Sequence, residues 1–493
     1  MNIILSSKLK ESFLFNLLVP ALFFIFALLF MPVGQVFQFD PDEGVELIKS
    51  SLYSQGFKLY TEIWNEQPPL LTVLLSYWFS LFGKSIFAAR LLILSFSTLL
   101  IWSFCQTLRR CLGSLPALIG TLLLTLSCSF LRLSISVMIG VPSLALAMLS
   151  IYTLILYQQK PRLYLVTLSG SFLALSLQIK LLTVFLVPLL IWQLIQSRSR
   201  EQHEGVGWQF YPILWWVASL LGIFIFTGLL FNSLSFEQLV KVSLGWNAKE
   251  VFKQDSNYKF IFLMLLEEID YMLLAIPGIV VLLKKKQWLH NLPLLWLATV
   301  ILVFLSHKPI WYHYYLLISI PLTWLATYGV ALALDYFKQE DWRSNLRFKN
   351  IRKLTLPGFA AAFFIFSMIL IPIKLSIIQV QNHLLVQKHK SNVEIVAHLL
   401  EHKPSTQWIF TDMPIYAFYA GLNVPPEIAV FSIKRLELGY LTLDKLTSVL
   451  ETYRPEQILL GRFPTVHNKL SNYINKSYSR IYKNGSITHY LLK

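Results

Sequence analysis

Apolar runs of about 20 residues return along most of this chain, a length that matches a hydrocarbon layer roughly 30 Å thick. Inside such a layer no water satisfies the backbone, so each run must close its own hydrogen bonds as a helix. The composition agrees: 55% of the 493 residues are hydrophobic and 14% charged, with a mean hydropathy of +0.58. A soluble domain carries about 25% charged residues. The fold class expected is mainly α, a polytopic transmembrane helical bundle. Crossings are expected near residues 13–33, 86–108, 115–132, 140–157, 162–178, 181–196, 211–231, 263–283, 291–306, 312–334 and 354–373. Lys8 and Lys10 flank the first run like a signal peptide, but no small-x-small cleavage site follows, so it reads as an uncleaved anchor.

The segment Pro69–Phe82 is apolar but short and opens on two prolines. Charge bias decides how to place it. If it does not cross, Arg109-Arg110, Lys160–Arg162, Ser197–Arg200, Lys284–Lys286 and Asp335–Lys353 all share one side with Lys8 and Lys10. Cytoplasmic loops collect Lys and Arg, so Pro69–Phe82 is expected as a juxtamembrane or re-entrant helix. The count is then about 11 spans, in a plasma (inner) membrane, with the N-terminus cytoplasmic and the C-terminus extracytoplasmic. The same bias accounts for the formal charge of +16. No basic stripe interleaved with aromatics is present, so nucleic acid is not a partner. Cys105, Cys111 and Cys128 show neither disulfide nor metal-ligand spacing and read as packing residues.

Three outer segments remain: Gly34–Ser85, Asn232–Phe262 and everything after Lys374. The first is acidic, with Asp40, Asp42, Glu43, Glu46, Glu62 and Glu66 against Lys49 and Lys58. Asp40 can cap a helix over Val45–Ser54, with Pro41 at its first position and Glu43 completing a capping box. That leaves Asp42 with only a helix-dipole role. Charge at the mouth of a spanning helix is expensive and usually functional. Asp42, with Glu43 and Asp40 beside it, is therefore the candidate catalytic group.

The runs Asp40-Pro41-Asp42-Glu43-Gly44, Gly56-Phe57-Lys58-Leu59-Tyr60 and Asn65-Glu66-Gln67-Pro68-Pro69-Leu70 resemble the GT-C glycosyltransferases. The likeness is nearest to protein O-mannosyltransferases and aminoarabinose transferases. Gly83, Phe87–Arg90, Lys180 and His307-Lys308-Pro309 followed by Tyr312–Tyr315 extend it over roughly residues 10–335. The resemblance implies a polyprenyl-phosphate-linked sugar donor held at the membrane lipid, a single inverting displacement, and Asp42 as the base that takes the acceptor's proton. It implies donor-phosphate contacts from Lys180 and Tyr314. His313, Arg90 and Arg132 are further candidates for that phosphate. It also implies that Glu66 helps to bind a divalent metal ion. Gln67 stands where the family usually has a lysine, the second outer segment lacks the histidine that completes the metal site, and Gly140 stands where relatives often have an acid.

Read from the residues alone, Lys180 can snorkel to the interface and the tyrosines near 314 can form an aromatic belt. After Lys374 the composition turns polar, and Gln407–Thr411 and Gln457–Leu460 read as strands around a helix at Leu443–Tyr453. The expected organisation is a GT-C-like module over 1–373, with loop 34–85 catalytic, and a small α/β extracytoplasmic domain over 374–493. Asp412 is expected to cap a helix. The acceptor, whether protein, lipid or glycan, is left open. A polytopic transporter and a non-catalytic GT-C-like scaffold in envelope glycan assembly are the rival readings. Against the transporter stand the absence of inverted repeats and of paired broken helices.

Overall fold

The computed structural model describes residues 11, 13–198, 211–234, 257–285, 291–339 and 355–493. Lys8 and Lys10, most of the second outer segment (235–256), and parts of the basic clusters (199–210, 286 and 340–354) lie outside the described residues. The molecule is mainly helical and is a multi-pass membrane protein. Among the described residues, five helices are long and apolar enough to cross a membrane: Ile86–Leu112, Gly140–Gln159, Tyr211–Leu230, one from Tyr312 to Phe337, and Leu356–Glu401. Shorter apolar helices occupy Leu14–Phe30, Ser114–Thr125, Leu163–Leu177, Leu181–Gln196 and Leu292–Ser306.

Local chemistry explains where these helices stop and how they pack. Ser85 caps the Ile86–Leu112 helix by accepting the Ala88 N–H, and Arg109 and Arg110 sit against the carbonyl end before Gly113. Small residues then allow close packing. Ser143 pairs with Ser176 at 3.0 Å and Ser150 with Ser169 at 3.1 Å, joining the Gly140–Gln159 and Leu163–Leu177 helices. Gly278 and Gly329 let the Ile269–Lys285 helix cross the Leu316–Phe337 helix backbone to backbone. A Cβ at either glycine would strike a carbonyl of the other helix.

Leu70–Phe82 is a helix of 13 residues, about 20 Å long at 1.5 Å per residue, against a hydrocarbon layer roughly 30 Å thick. It packs on the Glu43–Ser54 helix of the same loop. The run expected as one span at 263–283 is broken: one helix ends at Glu267 and the next starts at Ile269. The break sits where Lys374 reaches in to pair with Glu268 (2.9 Å) and Asp270 (2.7 Å).

The run expected as the last span, 354–373, does not stop at residue 373. Leu356–Glu401 is one helix of 46 residues, about 69 Å long, so the change of composition at Lys374 falls within an element and not at its end. Beyond it lies a four-stranded sheet in the order β1-β2-β4-β3. Strand β1 (Ile409–Thr411) runs parallel to β2 (Gln457–Leu460), and β2 and β3 (Tyr478–Asn484) flank β4 (Ile487–Leu492) antiparallel. The two expected strands and the Leu443–Tyr453 helix are present. Asp412 is not a helix cap. It is buried, and its two carboxylate oxygens accept the N–H groups of Gly461 (3.0 Å) and Phe463 (2.8 Å), shaping the turn after β2.

This domain docks on the first loop. Gly44 lies so close to Ile415 that a Cβ would meet its backbone nitrogen at 2.5 Å. Phe37 stacks on Tyr419 with centroids 4.5 Å apart, and the Tyr419 hydroxyl donates to the Phe37 carbonyl (3.0 Å).

Candidate active site

The acidic loop is built around one arginine. Arg90 is fully buried, and its Nη1 donates to the carbonyls of Val33 and Val36, both at 2.7 Å. Its Nη2 meets Glu43 Oε2 at 3.0 Å, and the guanidinium lies 4.6 Å from the Phe39 ring. Glu43, also fully buried, accepts in addition from Phe39 N (2.7 Å) and Val137 N (2.9 Å). A buried pair so fully hydrogen-bonded is a structural device, and losing one partner leaves an uncompensated charge. Glu43 and Arg90, expected as catalytic and phosphate-binding, instead hold the loop in shape. Arg132 is also placed away from the cavity described next: its Nη2 donates to the Phe39 carbonyl (2.8 Å) and it lies 5.2 Å from the Tyr312 ring.

The capping box does not form either. The helix begins at Glu43, Asp42 stands at its N-cap by backbone position, and no side chain caps it. Asp40 accepts the Asp42 N–H (3.0 Å) and closes a short turn. Burial, reinforced by Asp42, pushes the Asp40 carboxyl up to about 6. Because Glu43 is held by Arg90 and Asp40 by the turn, the Asp42 side chain is left to face outward, half exposed at 49%.

Asp42 lines a cavity of about 150 Å³ together with Glu66, Lys180, His313 and Tyr314. These five candidates come from segments far apart in sequence. Lys180 sits in the turn after the Leu163–Leu177 helix, where its N–H returns to the Ser176 carbonyl (3.0 Å). Two residues earlier, the Gln178 carbonyl accepts the Leu70 N–H (3.0 Å), tying this turn to the acidic loop. Tyr314 lies in a short 3-10 turn before the Leu316–Phe337 helix, its ring 4.3 Å from the Lys180 ammonium. His313 meets Tyr314 edge-on at 4.6 Å. Lys180 is 6% exposed and carries no ion pair among the described residues. Burial pulls its ammonium down to about 7, and the negative charge of Asp42 draws it partly back up.

The cavity also holds groups that the motifs do not assign. Glu46 and Lys49 pair at 2.8 Å, and Lys49 also donates to Asn65 Oδ1 (3.0 Å). Asp42, Val45, Glu46 and Lys49 all line the cavity, and their i, i+3, i+4, i+7 spacing puts them on one helix face. That signal is readable in the sequence. Lys308 also lines the cavity. Ser432 and Lys434 of the C-terminal domain close it, and Arg462 of the same domain approaches Asp42 Oδ1 at 3.5 Å. Nothing in the sequence joins these to Asp42. Gly140 opens its helix beside the His313 carbonyl, so a residue with a side chain there would abut it at 3.7 Å, and Met138 and Ile139 make this wall apolar.

Glu66, expected to help bind a metal ion, has protein partners in this structure. Glu66 accepts from Ser432 (3.3 Å) and faces Lys434 at 3.6 Å. Among the described residues no group of three or more His, Cys, Asp or Glu side chains is placed to hold one.

Residues 66–231 match the family model for dolichyl-phosphate-mannose-protein mannosyltransferases. The match begins within the acidic loop, after Asp42, and ends before Tyr314. No curated protein sequence matches the chain. The fold is similar to that of ArnT from Cupriavidus metallidurans bound to undecaprenyl phosphate, with a TM-score of 0.62 at 13% identity over 95% of this chain and 97% of that one. The apo form of the same protein gives 0.65 at 12% identity, over the same shares of the two chains. The archaeal oligosaccharyltransferase AglB from Archaeoglobus fulgidus, in complex with an inhibitory peptide and a dolichol-phosphate, gives 0.57 at 10% identity over 97% and 74%. The fold is therefore one that this protein shares with ArnT and AglB. The family likeness read from its motifs holds in the protein-mannosyltransferase match over residues 66–231.

Proposed function

We propose that this protein transfers a sugar from a polyprenyl-phosphate carrier to an acceptor hydroxyl on the extracytoplasmic side of the membrane. The observation that carries this reading is the pairing, in one cavity, of a half-exposed carboxylate with a buried lysine that has no ion-pair partner among the described residues. In the proposed step Asp42 takes the proton of the acceptor hydroxyl as its oxygen attacks the anomeric carbon. The bond from that carbon to the phosphate oxygen breaks, and polyprenyl phosphate leaves with the electron pair. Lys180 and Lys308 hold the phosphate, since a charged donor strengthens as negative charge grows on the leaving oxygen. Tyr314 positions the Lys180 ammonium by its ring face. One displacement inverts the anomeric centre. The prenyl tail stays in the bilayer, where each buried CH₂ contributes about 0.8 kcal/mol, so the carrier reaches the cavity from the membrane side.

Purified protein in nanodiscs with a labelled polyprenyl-phosphate sugar tests the reading. Asp42→Asn should lower transfer by about 10²–10⁴-fold, the range for a lost general base, with thermal stability nearly unchanged. Equal rates in the wild type and Asp42→Asn would remove the proposed base.

A further inference from the structure

Beside the cavity lies a groove of about 320 Å³ that the transfer chemistry does not use. Tyr60, Thr61, Glu62 and Trp64 of the acidic loop form one wall, and the C-terminal domain, including the Leu443–Tyr453 helix, forms the other. Neighbouring residues divide the two spaces. Glu66 and Lys434 meet at 3.6 Å and line the cavity, whereas Trp64 and Arg435 line the groove, the guanidinium 4.7 Å from the indole ring. Arg435 is 4% exposed, and its Nη1 donates to the carbonyls of Glu427 (2.8 Å) and Val430 (2.7 Å), which holds the guanidinium in place. Its Nε and the Trp64 Nε1 have no hydrogen-bond partner among the described residues. Buried donors left in that state cost stability, which makes them candidates for a ligand's acceptor atoms.

We propose that this groove binds carbohydrate, as the part of the acceptor that lies behind the reacting hydroxyl. The proposal rests on the transferase reading of the cavity. A sugar ring has an apolar face and a rim of hydroxyls. The groove matches both, with the rings of Trp64 and Tyr453, carboxylate acceptors on Glu62 and Glu427, and the Ser448 hydroxyl. Tyr453 donates to Glu427 Oε1 (3.0 Å) and so orients that carboxylate. An extended peptide would instead seek a free sheet edge or apolar side-chain pockets, and this groove runs along a helix and a turn. Trp64 and Arg435 on the groove adjoin Glu66 and Lys434 on the cavity along the chain, so a glycan in the groove would lie beside the cavity that Asp42 lines.

Full-length protein in nanodiscs is titrated with short hexose and N-acetylhexosamine oligosaccharides and, separately, with Ser- and Thr-rich peptides, with binding read by saturation-transfer NMR. At least one oligosaccharide should bind and the peptides should not. Ser448→Trp fills the groove from its place on the Leu443–Tyr453 helix and should weaken oligosaccharide binding about tenfold or more. Trp64→Ala should do the same. Undecaprenyl phosphate binding in the same samples reports the cavity separately: its absence in the wild type would sink the transferase reading, while the glycan titration still judges the groove. No oligosaccharide bound by the wild type, binding undiminished in Ser448→Trp, or peptide binding that Ser448→Trp abolishes would each overturn the carbohydrate assignment.

Discussion

Lys180 and Lys374 are both buried lysines, 6% and 7% exposed, and they have opposite surroundings. Lys374 meets two carboxylates, Glu268 at 2.9 Å and Asp270 at 2.7 Å, with the Tyr271 ring at 3.8 Å. Ser127 donates to the far oxygen of Glu268. Lys180 meets one aromatic face and an open cavity. A charge taken out of water needs a partner. Where the chain provides one, as for Lys374 and for Arg90 with Glu43, the charge fastens two elements together. Where it does not, as for Lys180, the ammonium is left facing the cavity. The contrast separates the scaffold of this protein from its chemistry more sharply than charge or burial alone.

The strongest way to break the contrast is Lys374→Met, which leaves two acids buried without a cation. It should lower stability by about 3–5 kcal/mol, read by thermal unfolding in detergent, with undecaprenyl phosphate affinity kept in whatever fraction stays folded. Lys180→Met should do the reverse: little change in unfolding, and donor affinity weaker by about 10–100-fold, the worth of a hydrogen bond to a charged group. Unchanged donor affinity would return Lys180 to the role of an interfacial anchor.

A pH titration sharpens the same point. The Lys180 ammonium is held down to about 7 by burial, so it is charged below that pH and neutral above it. Donor affinity should fall as pH rises through about 7, and that step should vanish in Lys180→Met. Because the charge of Asp42 props the ammonium up, Asp42→Asn should move the midpoint to lower pH. The smallest effect expected is that of Asp40→Ala, which removes the acceptor for the Asp42 N–H. It should cost about 1 kcal/mol, the net worth of one such bond, with transfer reduced only as far as Asp42 loses its orientation.

Several of these residues are legible in the sequence. Asp42 stands out because a capping box accounts for its neighbours but not for it, and Lys180 because it closes an apolar run in a tight turn. Glu43 and Arg90 mislead for one reason. An acid beside a candidate base and an arginine at a helix mouth look functional until their partners are known. Their pairing spans 47 residues, and no local pattern encodes it. Asp412 misleads in the same way: the N–H groups it accepts lie across the sheet, in the turn after β2.

The order of residues is enough to dictate a helical membrane fold, because apolar length and the need to satisfy the backbone in lipid leave no other solution. It is also enough for the α/β character of the C-terminal domain and for a helix after the Asp40–Gly44 run, since alternation and turn residues act within a few residues. Which charges are fasteners and which are free to act follows from packing in three dimensions. Packing alone brings Ser432, Lys434 and Arg462 to the cavity that holds Asp42 and Lys180. The physical reason is that a charge's role depends on what lies within a few ångströms of it, and many of those neighbours are hundreds of positions away along the chain.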